Sequence, residues 1–278
     1  MVPSASPGNG REQLDLFHAL PGEMAIRDAQ DLMAYPLFSL AKSRRTVPID
    51  FQSGPVTVRV EGTGAHGIAT IWDADILIWA ASQIVEACDA GIRPSRRMRA
   101  TPYEILRFIG RGTSQRDYQR LRAALDRLQS TTVATSIRET TGRRLHRFSW
   151  INEWKECADV QGRPLGIELI LADWFFAGVL DEALVLTIDP AYFRLTGGIE
   201  RWLYRLVRKH GGRQPEGWRF DFHYLHRKSG SLARPSDFAC DLRALVMRQS
   251  LPGYELSIER RPGSPEILVF RPVPRMTR

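Results

Sequence analysis

Lysine is nearly missing from this chain: four of its 39 cationic side chains are lysine and the other 35 are arginine. Cysteine is scarce too. Cys88, Cys157 and Cys240 are odd in number, lie far apart and form no C-x-x-C. That excludes a disulfide scaffold and a cysteine-ligated zinc finger, and it points to a reduced, cytoplasmic setting. No apolar run is long enough to cross a bilayer. The opening residues, MVPSASPGNGREQ, lack the basic stretch and apolar stretch of a secretory signal. No G-x-x-x-x-G-K-[ST] loop is present, which argues against ATP hydrolysis, and neither H-E-x-x-H nor G-x-S-x-G occurs. The expectation is a protein without catalysis, cofactor or metal. What remains is ordinary globular composition: 278 residues, 43% hydrophobic and 25% charged. That is enough chain for two modest domains.

The net charge of +8 is unevenly spread. Residues 1–35 carry −3 and residues 36–92 carry −2. Residues 93–150 then carry +10, residues 151–200 carry −6, and residues 201–278 carry +9. A compositional bias toward arginine explains the Arg/Lys ratio in part, but not two separate clusters. Arginine forks onto phosphate and guanine edges better than lysine does, so the two basic blocks point to nucleic acid.

The first basic block follows a helix that Asp73 opens and Gly91 ends. Thr101-Pro102-Tyr103-Glu104 is a capping box with proline at the first helical position, and it starts a short helix. A third helix runs from about Ser114 to Gln129. Tyr118, Leu121, Leu125 and Leu128 recur at helical spacing and form its buried stripe. At about 100° per residue, Arg116, Gln119, Arg120, Ala123 and Arg127 take the opposite face, with Ser114 and Gln115 in the first turn. TTVATSIRE and RRLHRFSWI then read as a hairpin around Thr140-Thr141-Gly142. This is the order of a winged helix-turn-helix, with the third helix in the major groove. The hairpin Arg138–Arg147, with Arg143, Arg144 and Arg147, would be its wing. Arg111 lies in the turn, and the lone G-x-G at Gly110–Gly112 reads as that turn, not a phosphate loop.

The second block repeats the plan. GGIERWLYRLVRKHGG is a helix, and PEGWRFDFHYLHRKSG holds a strand or short helix with Arg227 and Lys228. Ser236 caps SDFACDLRALVMRQ, whose buried stripe is Phe238, Leu242 and Leu245. Ser236, Cys240, Arg243 and Met247 face away, and a hairpin follows around Arg260, Arg261 and Pro262-Gly263. Aligning Tyr118 with Phe238 brings Leu125 onto Leu245, and Ile137 within one residue of Ile258, which suggests an internal duplication. The fold class expected is α+β: two tandem winged helix-turn-helix domains, 36–162 and 163–278, behind a flexible tail, 1–35. Residues 165–196 are assigned to the second domain, with a Gly-Pro linker near Gln161–Pro164. Trp72, Trp79, Trp174 and Trp202 sit in apolar stretches and are expected to pack in cores, not to stack on bases. His223 and His226 form H-x-x-H, read as a pair near a DNA-facing turn or partly buried, without metal.

In the tail, Gln13-Leu14-Asp15-Leu16-Phe17 matches QL(S/D)LF, the motif by which bacterial replication proteins dock on the sliding clamp. Leu16 and Phe17 would be apolar anchors and Gln13 an amide handle. The competing reading is that the segment packs on its own first domain.

Four stretches carry a wider resemblance: ATIWDADILIWAASQIVEA, TPYEILRFIGRGTSQRDYQRLRAALDRLQSTTV, LTGGIERWLYRLVRKHGG and HRKSGSLARPSDFACDLRALV. Over residues 36–271 the chain resembles the plasmid replication initiator protein A family. The resemblance implies two winged-helix domains that bind directly repeated origin DNA (iterons) and open the origin. It also implies recruitment of the host initiator and helicase, and often a homodimer that represses its own gene. A repressor using the same helices is the alternative. A nickase-type initiator is opposed by the absence of a His-hydrophobic-His metal motif paired with a tyrosine.

Overall fold

Two capping boxes set the helical frame. Thr101 Oγ1 accepts from the Glu104 amide at 3.2 Å, while Glu104 Oε2 accepts from the Thr101 amide at 2.7 Å. Ser114 and Asp117 repeat the exchange at 3.4 and 3.2 Å. Each box satisfies N–H groups that a helix start leaves without partners. A computed structural model describes residues 15–139, 145–211, 214, 216–260 and 262–273.

In chain order the first elements are β1 (Leu16–His18), β2 (Arg27–Ala29), α1 (Gln30–Ala34), β3 (Ile49–Ser53), β4 (Val56–Glu61), α2 (Ala74–Asp89) and β5 (Arg97–Ala100). Next come α3 (Pro102–Phe108), α4 (Gln115–Ser130), β6 (Thr132–Thr135), β7 (His146–Ser149), β8 (Ile151–Ala158), β9 (Pro164–Leu171) and α5 (Asp173–Leu180). The chain continues through β10 (Val185–Thr187), α6 (Gly198–Gly211), β11 (Trp218–Asp221), α7 (Phe222–Ser229), α8 (Pro235–Arg248), β12 (Tyr254–Glu259) and β13 (Ile267–Pro272). The architecture is mixed α+β.

One unit occurs twice. α2-β5-α3-α4-β8-β9 and α6-β11-α7-α8-β12-β13 share the order helix, strand, helix, helix, hairpin. Their sheets share an order as well: β5-β9-β8 in the first, β11-β13-β12 in the second, all antiparallel. The N-caps Ser114 and Arg234 are 120 residues apart, but the hairpins start at Ile151 and Tyr254, only 103 apart. The difference is β6–β7, which the second unit lacks. That hairpin extends another sheet, β3-β4-β6-β7. The alignment of Ile137 with Ile258 therefore fails. The counterpart of β12–β13 is β8–β9, not the Arg138–Arg147 hairpin expected as the wing.

The expected boundary at 163 also moves. β9 pairs with β8 and β5, and Ile167, Leu169, Trp174 and Phe175 pack in one core with Leu77, Met98 and Leu125. The Gln161–Pro164 stretch is a hairpin turn and not a linker: Asp159 Oδ1 accepts from the amides of Gln161 and Arg163 at 2.8 and 2.9 Å. Gly166 needs its missing side chain, since φ is +115° and a Cβ there would lie 2.6 Å from the Ala100 carbonyl oxygen. The second core runs from Ile188 to Phe270 and takes in Ile26, Met33 and Ile78 from the first half. Two buried ion pairs fasten α6 to the first half of the chain. Arg201 reaches Asp75 at 2.7 Å, and Arg205 reaches Asp28 at 2.7 Å. Such pairs are costly to break singly, because the remaining charge stays buried.

Residues 15–35, expected as part of a flexible tail, belong to the folded body. β1 pairs in parallel with β5, Leu16 opposite Arg97 and Phe17 opposite Met98, and Phe17 is 5% exposed in the first core. The Leu16–Phe17 pair is thus not a free anchor. Phe17 is spent on its own domain, Leu16 is half-buried and Asp15 is exposed. Gln13 and Leu14 lie outside the described residues.

Candidate nucleic-acid interface

α4 buries Leu121, Ala124, Leu125 and Leu128. It turns Gln115, Arg116, Gln119, Arg120 and Arg122 to solvent. Arg116 and Gln119 have no side-chain partner among the described residues. Arg120 meets Asp117 at 3.4 Å and stays 60% exposed, so that pair is weak. The Ser114 hydroxyl is engaged in the cap, donating to Asp117 Oδ2 at 2.6 Å.

Two arginines expected at the interface, Arg127 on this face and Arg111 in the turn before it, are structural instead. Arg127 grips the buried Asp73 carboxylate with two hydrogen bonds of 2.7 Å. Arg111 reaches the fully buried Asp75 at 3.1 Å, beside Arg201. The helical wheel gives Arg127 an outward angle and the sequence places Arg111 in a turn, but neither reveals the carboxylates of Asp73 and Asp75 at the start of α2. Arg138, at the root of the expected wing, turns inward as well. It pairs with Asp31 at 2.7 Å, and its guanidinium lies 4.0 Å from the centre of the Trp174 ring. Arg147 is exposed on β7, whereas Arg143 and Arg144 lie outside the described residues.

In the second unit, α8 begins at Pro235 with Arg234 as its N-cap, so Ser236 is an exposed first-turn residue and not the cap. Arg234 pairs with Asp237 at 2.9 Å. Arg243 and Arg260 both bind Glu266, at 3.0 and 2.7 Å. Their hydrogen bonds hold the Glu266 carboxyl below its usual range. Arg227 is exposed without a side-chain partner among the described residues, and Arg261 lies outside them. Lys228 is buried. Its ammonium sits 5.1, 5.6 and 5.5 Å from the ring centres of Tyr35, Phe51 and Tyr224. Burial, with the charge of Lys209, pushes it down to about 8. It cannot reach a phosphate as placed. His226 donates to the Ala233 carbonyl at 2.8 Å while His223 faces solvent, so the H-x-x-H pair does not converge. Trp79, Trp174 and Trp202 are buried, as their apolar settings suggest, and Trp72 is half-buried.

The sequence reading missed three exposed arginines: Arg107 in the last turn of α3, Arg122 on α4 and Arg248 at the end of α8. Arg122 pairs with Glu156 of β8 at 2.6 Å, which ties α4 to the β8–β9 hairpin.

Residues 27–256 match the family described as Replication initiator protein A. The chain belongs to this family. The match runs from β2 into β12 and so contains α4, α8 and all but the last strand of the repeated units. A "Putative replication protein" of Wigglesworthia glossinidia brevipalpis is 31% identical over 228 residues, covering 81% of this chain and 82% of the relative. Among solved structures, a selenomethionine crystal structure of domains 2 and 3 of RctB resembles this replication initiator protein with a TM-score of 0.63. It shares 15% identity and covers 87% of this chain and 97% of its own. A second crystal structure of RctB domains 2-3 gives a TM-score of 0.57 at 14% identity, covering 88% and 97%. At these identities the likeness is one of fold. No described helix is long and apolar enough to cross a membrane.

Proposed function

We propose that this initiator acts in the cytoplasm by binding directly repeated duplex DNA with its two repeated units, each used as a winged helix. The carrying observation is the recurrence of helix, strand, helix, helix and hairpin with one sheet order. In each unit the third helix leaves its outer face open, α4 with Arg116, Gln119 and Arg120 and α8 with Ser236 and Cys240. On this reading α4 and α8 enter successive major grooves, and the β8–β9 and β12–β13 hairpins flank them as wings. Arg107, Arg147, Arg227 and Arg248 are exposed cations available to phosphates, while Arg111, Arg127 and Lys228 serve the fold and Arg260 is held by Glu266.

Recruitment of the host initiator and helicase, and a homodimer that represses the protein's own gene, are further parts of this reading that rest on the family alone. Docking on the sliding clamp through Leu16 and Phe17 is not among them, because it would require β1 to leave its sheet. A pure repressor would use the same helices, but family membership favours initiation. The test is binding to direct repeats beside the gene. Affinity should fall steeply with salt, with a log–log slope of about −5 or steeper, as expected when several phosphates are neutralised. A slope shallower than about −2 would reject the basic faces as the interface.

A further inference from the structure

A cleft of about 860 Å³ opens between the two halves of the molecule. Its floor is apolar: Ile76 of α2, Leu106 and Ile109 at the end of α3, and Leu121 of α4, all buried. Its rim is cationic. Lys42 and Arg44 come from the segment before β3, and Arg194 comes from the short 3-10 turn Pro190–Arg194 on the other side. All three are exposed. None has a carboxylate partner among the described residues. Arg44 donates only to the Ala65 carbonyl, at 3.1 Å, and Lys42 lies over the Trp72 ring at 5.3 Å. The carboxylates that do line the cleft are occupied: Asp73 by Arg127, and Asp117 by its cap and Arg120.

Three exposed cations that line one cleft with an apolar floor, and that lack carboxylate partners, form a site for an anion that carries an apolar ring. Guanidinium groups fork onto phosphate oxygens, and a phosphate brings about two charges and three acceptors to one point. The volume falls in the range of small-molecule clefts. We propose that this cleft binds a nucleotide, with Arg44 and Arg194 on its phosphate and its base on the apolar floor. The nucleotide comes either from solution or from a single DNA strand. Arg120 of the α4 face also lines the cleft, but the inference rests on Arg44 and Arg194, which belong to neither the α4 nor the α8 face.

The test is isothermal titration of the full chain with AMP, inorganic phosphate, a hexaglutamate peptide and a ten-residue oligothymidylate. The proteins are wild type, the Arg44→Ala/Arg194→Ala double variant and Arg116→Ala, each checked for an unchanged melting curve. AMP should bind one to one and at least fivefold more tightly than phosphate. The double variant should weaken that binding at least tenfold, while Arg116→Ala leaves it unchanged. If the oligothymidylate binds more tightly than AMP and suffers the same loss in the double variant, the source is a single strand. If AMP binds more tightly, the source is free nucleotide. The proposal is overturned if neither ligand saturates a single site, if AMP and phosphate bind equally, if the double variant binds like wild type, or if only hexaglutamate binds.

Discussion

Replacing Phe17 with alanine should destabilise the whole first core, although Phe17 stands only two residues into the described chain. The side chain is 5% exposed and packs in the core that also holds Leu77, Met98 and Leu125. Buried Phe→Ala changes cost about 3–5 kcal/mol, from lost transfer energy plus the cavity left behind. β1 is three residues long at a sheet edge. It can therefore undock instead of leaving a cavity, and the loss is capped by the docking energy of that strand. We expect about 2–4 kcal/mol, which for a chain of this size lowers Tm by roughly 4–15 °C. Leu16→Ala, at a half-buried position, should cost under about 1 kcal/mol. The assay is thermal melting by circular dichroism, with repeat binding measured below the transition, where it should be unchanged. If Phe17→Ala melts within a degree of wild type, the docked strand is wrong and a free tail is right.

Four further outcomes follow from the side chains described. Arg116→Ala should weaken repeat binding by about 1–3 kcal/mol without shifting Tm, if the side chain reads a base edge. Arg127→Ala should lower Tm because it strands the buried Asp73, so equal melting of the two variants would reject the division into contact and structural arginines. Lys228 is held down to about 8 in the folded state against an ordinary value of 10.5. Between those values the unfolded chain binds more protons than the folded one, so stability rises with pH across that window. Lys228→Met should accordingly melt above wild type at pH 7, with the gap closing toward pH 10; a pH-independent gap refutes the assignment. Glu168 is the mirror case. Burial opposes its charge, but hydrogen bonds from Arg99 and Arg97 outweigh that and hold it at about 2 against an ordinary 4.5. Its contribution is complete above about pH 4.5 and disappears as pH falls toward 2, so the deficit of Glu168→Gln should shrink over that interval.

Local signals in the sequence carried the helices well. The Thr101–Glu104 box, the Leu121–Leu128 stripe and the Gly91 stop each describe interactions within a few residues, and the structure has them in place. Long-range partners were illegible. Thr140-Thr141-Gly142 and Asp159–Arg163 are both turn-like stretches, and nothing local says that β6–β7 joins β3–β4 while β8–β9 joins β5. Asp73 and Asp75 capture Arg127 and Arg111 across 54 and 36 residues of chain. Lys228 is buried by Tyr35 and Phe51, which belong to the other half of the molecule. Of the cleft cations, Lys42 and Arg44 are neighbours in the sequence, but Arg194 lies 150 residues beyond Arg44, and only the packing of the two halves brings it to the same cleft.

Hydroxyl-radical footprinting on the repeats beside the gene tests the central claim most directly. Two tandem units on one face of duplex DNA should protect two patches about 10–10.5 base pairs apart, or a multiple of that. Arg116→Ala should erase one patch and Arg227→Ala should weaken the other, each leaving its neighbour in place. A single patch, or two patches that both variants weaken equally, would contradict the assignment of one DNA-binding face to each repeated unit.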